Sequence, residues 1–141
     1  MTPKQIAKRY KRRIYAVLNA IATTLRNAGY LVDEPCDLSC DTDYRFTFTV
    51  HRDGDINEFG PEDIDVTLEV CPSEEFDGEV GGVNFSLSVV QVGGRILGGL
   101  TPYNYTPQVW VSRKDKQAIE ERFSIFEEAD PDGVVQLVQA A

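Results

Sequence analysis

His51 is the only histidine in 141 residues, so any Ser-His, Cys-His or two-histidine metal mechanism has to run through it. It closes the alternating run 44–51 on its polar phase, where a partly exposed structural histidine is the expectation. Cys36 and Cys40, separated by three residues, fall within the spacing of zinc ligands, and Cys71 is a third candidate. If 44–51 and 64–71 pair as a hairpin, Cys71 comes near Cys40, while His51 lies about 25 Å away at ~3.3 Å per residue. A three-cysteine site would then need Asp37 or Asp41 as its fourth ligand, and small packed thiols are the expected state.

Asp53, Asp55 and Asn57 open like a calcium loop, but Glu58 stands where glycine is needed and Ile64 where glutamate is needed. A solvated acidic turn is expected instead. The pairs Glu74-Glu75, Glu120-Glu121 and Glu127-Glu128 sit in loop or polar-face positions, without the burial that drives two carboxyl pKa values apart. The chain has no G-x-S-x-G elbow, Walker loop or G-x-G-x-x-G turn. The expectation is therefore a protein that is not an enzyme, with no catalytic residue, cofactor or bound metal.

Binding features are stronger. Residues 1–32 hold seven bases and no acid, and 33–79 hold sixteen acids against Arg45 and Arg52, within a net charge of −9. Such a division biases partner choice rather than fold. Tyr103, Tyr105 and Trp110 fall in and just after the Pro-bounded stretch 101–107, and these residue types supply rigid, amphipathic contact area. The expected partner surface combines Asp53, Asp55, Glu58, Glu62, Asp63, Glu74, Glu75 and Asp77 with Tyr103, Tyr105 and Trp110. It would suit a protein with a basic face.

Candidates of that kind are a mobile-element (anti-defence) inhibitor, an immunity-type protein and a chaperone-like adaptor. If the partner normally holds nucleic acid, the carboxylates could act as a nucleic-acid mimic. A second class of reading uses Lys4, Lys8, Arg9, Lys11, Arg12 and Arg13 as a basic patch for nucleic acid or an anionic surface. The net charge and the lack of an accompanying aromatic platform weigh against it, and a solvated helix face or pairing within a homodimer is the plainer account. A third reading is a small-ligand pocket near Gly98-Gly99 and Tyr103.

These residues need positioning elements. Apolar residues at Ile6, Tyr10, Ile14, Val17, Leu18, Ile21, Leu25 and Ala28 recur every three or four positions, which predicts a helix over 3–28. Thr2 is its N-cap, Pro3 its first helical position and Gly29 its C-terminal glycine. Alternation predicts strands at 44–51 and 64–71, joined through a loop marked by Asp53-Gly54 and Gly60-Pro61, and a third from Val83 to Val89. Gly93-Gly94 turns the chain into a fourth strand at 95–100, and a fifth runs near 108–111. Ser112 with Asp115 resembles a capping box ahead of Ile119, Phe123 and Phe126, and Asp130-Pro131 opens a last helix.

The fold class is thus α+β: a long N-terminal helix, a five-stranded antiparallel meander and two C-terminal helices packed on one face of the sheet, all in one domain spanning 1–141. Apolar residues at 42% and charged residues at 26% are globular values. No apolar run approaches the ~20 residues of a membrane span. Three cysteines in no disulfide-rich pattern fit a reducing compartment, so a cytoplasmic protein is expected.

Overall fold

The computed structural model describes residues 1–52, 60–75, 81–97 and 109–141. Its elements run α1 (Pro3–Asn27), β1 (Leu31–Val32), β2 (Cys36–Asp37), β3 (Tyr44–His51), β4 (Ile64–Ser73), β5 (Gly82–Gln91), β6 (Val111–Ser112), α2 (Lys116–Glu128) and α3 (Asp132–Ala140). This is the α+β arrangement of one N-terminal helix, an antiparallel sheet and two C-terminal helices.

The helix α1 begins in a capping box. Thr2 Oγ1 accepts from the Gln5 N–H at 3.1 Å, and Gln5 Oε1 accepts from the Thr2 N–H at 2.9 Å. Pro3 occupies the first turn, where its missing donor costs nothing. The helix ends at Ala28, and Gly29 follows at φ +98°, the left-handed conformation that turns the chain back.

Three long strands form the middle of the sheet, in the order β1-β3-β4-β5-β6, with β2 also paired to β3. Cross-strand register decides which side chains share a face. Phe46, Leu68 and Leu87 form one row, and Phe48, Val66 and Val89 the next, all at 0–1% exposure. One buried cluster joins these rows to Ile6, Tyr10, Ile14 and Leu18 of α1, Phe123 and Phe126 of α2, and Val134 and Val138 of α3. Each large apolar side chain enclosed in this way contributes roughly 1.5–3 kcal/mol.

Other elements differ from the sequence reading. β1 and β2 are additional, and together they make a broken edge strand against β3. Leu31 and Val32 pair with His51 and Val50, but Cys36 and Asp37 pair with Thr47 and Phe46, so register slips by one residue across 33–35. Pro35, which has no N–H to give to the ladder, sits in the slip. A two-residue turn then returns β2 into β3, with Cys40 and Asp43 exchanging backbone bonds at 2.8 and 2.7 Å and Asp41 at φ +41°.

In place of a fourth strand at 95–100, the described residues hold an isolated bridge between Ile96 and Val90, and 98–100 lie outside them. The fifth strand is β6, two residues pairing with Gly82 and Val83. Ser112 belongs to β6 and does not cap α2. That role falls to Asp115, whose carboxylate accepts from the Ala118 N–H at 3.0 Å. Asp130 serves α3 by accepting from the Asp132 N–H at 3.0 Å, one residue later than a Pro131 first turn would place it.

Candidate docking surface

Antiparallel sheets commonly keep one face for the core and one for solvent. Here the second face follows from the same register: Arg45, Glu69 and Ser86 form one row, Thr47, Thr67 and Ser88 the next, and Thr49, Asp65 and Val90 the third. Thr47 and Thr67 hydroxyls meet at 2.9 Å, and Thr49 donates to Asp65 Oδ1 at 2.7 Å. The result is a row of short polar side chains held to one another, half-exposed apart from the buried Thr49. Arg45 Nε stands 3.6 Å from Asp43. Burial, and then the charge of Asp43, push the Glu69 carboxyl above its ordinary range, and Arg45 opposes them.

Candidate acids flank β4 at both ends. Glu62 is exposed just before β4, while Glu74 and Glu75 are exposed just after it, at opposite ends of a ten-residue strand about 33 Å long. The sequence-expected acids are thus two groups, bridged by Asp65 and Glu69, which the sequence reading passed over. The polar phase of the β4 alternation is the signal that marks them. Trp110 is half-buried beside β6, and β6 and the end of β4 both pair with the first residues of β5. Arg113 Nη2 reaches Glu74 at 3.8 Å there, so Trp110, Glu74 and Glu75 share one end of the sheet. Asp53, Asp55, Glu58, Asp77, Tyr103 and Tyr105 lie outside the described residues, as do the rest of the acidic turn and the Gly98-Gly99 pair.

Asp63 corrects the expectation of a partner contact, because it is at 0% exposure. Its Oδ1 accepts from the Arg52 N–H at 2.8 Å and its Oδ2 from the Gly60 N–H at 2.9 Å, so its carboxylate ties together the two ends of the β3–β4 connection. His51 is corrected likewise: it is at 3% exposure rather than on an open polar face. Its Nε2 lies 2.7 Å from Asp33 Oδ1, and its Nδ1 lies 3.6 Å from Asp63 Oδ2. β1 delivers Asp33 to this spot by pairing along the end of β3, a nonlocal event that strand alternation does not encode.

The three cysteines spread out. Cys36 and Cys40 are exposed, and Cys71 is half-buried, its thiol pushed up to about 11 by burial and then by Glu69 and Asp43. Among the described residues, no group of three or more His, Cys, Asp or Glu side chains converges on a metal-sized site.

The basic patch divides around α1. Arg13 turns toward α2, pairing with Glu120 at 2.6 Å and with Glu127, its guanidinium 5.0 Å from the Phe123 ring. Tyr10 donates to Glu120 at 2.7 Å. Burial first, and then this bond, push the Tyr10 hydroxyl up to about 12, whereas the bonds from Tyr10 and Arg13 hold the Glu120 carboxyl below its usual range. On the other flank Lys11 pairs with Asp37 at 3.3 Å. Lys4, Lys8, Arg9 and Arg12 make no ion pair among the described residues. Among those residues, no helix is long and apolar enough to cross a membrane. Comparison with protein-family models, curated proteins and solved structures finds no match for this chain.

Proposed function

We propose that the protein is a non-enzymatic binding module that receives a basic protein surface on the open face of its sheet. The observation that carries this reading is the makeup of that face: Asp65 and Glu69 stand among Thr47, Thr67, Ser86 and Ser88, with Arg45 as the only base in these rows. Asp65 and Glu69 recur about 13 Å apart along a rigid strand, with Glu62 beyond one end and Glu74 and Glu75 beyond the other. Fixed carboxylates on a flat scaffold attract cationic side chains, speed encounter and set register. Trp110, half-buried just before β6, adds an amphipathic side chain of the kind that anchors interfaces. His51 does not offer a reactive imidazole to this surface, because its side chain is enclosed between Asp33 and Asp63.

A cytoplasmic inhibitor, immunity-type protein or chaperone-like adaptor fits this description. Where the partner's natural ligand is nucleic acid, the carboxylate rows compete with it as a mimic of its phosphates. The test is affinity capture from the native host, using wild-type protein and the Asp65→Lys/Glu69→Lys variant at low and raised salt. The expected result is a basic protein retained by the wild type, released as salt screens the contact and lost to the variant. Retention of the same protein by the variant, or at high salt without loss, overturns the reading.

A further inference from the structure

In the sequence, the only aromatic residue among the six bases of 4–13 is Tyr10, which belongs to the apolar stripe and is buried, so the cluster has no aromatic neighbour open to a ligand. Folding supplies the neighbour. Lys4, Lys8 and Lys11 share one flank of α1 at i, i+4 and i+7, rising ~6 and then ~4.5 Å along the axis. They border a solvent-open groove of about 340 Å³ between α1 and the β2–β3 hairpin, with Asp37 on the opposite wall and Tyr44 and Phe46 along the floor. Phe46, at 1% exposure, is sealed under the helix, while Tyr44 is only half-buried. Lys11 is engaged with Asp37 at 3.3 Å. Lys4 and Lys8 are exposed and make no ion pair among the described residues, so their charge is available to a ligand.

The geometry points to a binding groove for a short single-stranded nucleic acid, with its phosphates along Lys4, Lys8 and Lys11 and one base against Tyr44. Cations in a row select an anion with repeated charge, and a phenol ring at the groove floor selects one that carries a flat face; a single strand has both. An open groove suits a strand that enters and leaves, rather than a molecule to be enclosed. A duplex would bring a second phosphate row toward Asp37, Asp41 and Asp43, so the acidic wall favours one strand over two. This site lies on the helix-covered side of the sheet, away from the open face, and does not depend on the protein-docking reading.

Fluorescence polarisation with a labelled oligothymidine of about ten nucleotides tests it. Three lysine contacts predict a slope of log affinity against log salt of about −2. Lys4→Gln/Lys8→Gln should weaken binding about tenfold or more, while Arg9→Gln/Arg12→Gln, which removes equal charge from the same helix outside the groove, should weaken it less than about threefold. Tyr44→Leu keeps apolar bulk beside α1 and should cost about fivefold or more with the melting temperature unchanged, the signature of lost stacking. Equal losses from the two charge pairs would reveal diffuse attraction and overturn the site. So would the absence of binding, equal affinity for thymidine monophosphate, or binding to phosphatidylserine vesicles in its place.

Discussion

Asp63 and Glu62 are adjacent acids with opposite fates, and the difference is made by two backbone donors. Glu62 is exposed, while Asp63 is enclosed and accepts from Arg52 and Gly60. A buried donor left without an acceptor costs about 1–3 kcal/mol, so Asp63→Ala should destabilise the protein by about 2–4 kcal/mol in urea unfolding. Glu62→Gln should stay within about 0.5 kcal/mol of wild type. Equal stabilities would remove Asp63 from its anchoring role. Neither fate was legible in sequence, because a carboxylate beside Gly60-Pro61 reads as a loop charge, and the donors that enclose it come from both ends of a connection. His51 was misplaced for the same kind of reason. Its phase in β3 puts it opposite Val50, and only the pairing of β1 with the end of that strand brings Asp33 against it.

Elements with a period were legible, and those without one were not. The 3.6-residue stripe of α1, with Thr2, Pro3 and Gly29 at its ends, and the alternation in β3, β4 and β5 each carry many agreeing residues. β1, β2 and β6 have two residues apiece, too few to show alternation, and β6 took Ser112 from the helix cap expected there. How the elements are fastened is equally nonlocal, since Glu120 joins α2 to α1 through Tyr10 and Arg13, and Asp37 joins β2 to α1 through Lys11. For Asp37, burial opposes the charge, but bonds from Ser39 and Lys11 outweigh it, so this carboxyl, like that of Glu120, is held below its ordinary range. Both folded-state values lie below the unfolded ones, so their stabilisation is present above about pH 4 and is lost as pH falls through the folded values. Melting temperature should therefore decline on the acid side. Asp37→Asn/Glu120→Gln should flatten that decline while costing at most about 1 kcal/mol per exposed pair at neutral pH. An unchanged acid limb would show that other carboxylates govern it.

At the scale of the molecule, charge that is segregated along the chain is partly recombined in space. α1 sets Lys11, Arg13 and Arg26 against Asp37, Glu120, Glu127 and Glu34, while Lys4, Lys8, Arg9 and Arg12 on the same helix and Asp65 on the open face make no ion pair among the described residues. Exposed pairs of this kind are each worth about 0–1 kcal/mol. Raising salt from about 0.05 to 0.5 M should thus move the melting temperature little. A fold that melts in high salt would mean that the pairs, and not the apolar rows, hold α1 in place. The one-residue slip around Pro35 also governs how this molecule meets copies of itself. A straight, continuous strand at that border would offer unbroken donors and acceptors to a neighbouring chain, and sheets could grow sideways from molecule to molecule. A stepped border interrupted by an imino acid and flanked by the exposed Glu34 gives a newcomer no run long enough to zip onto. Along β1 and β2, at least, the sheet is closed to polymerisation by the break in its own outermost strand.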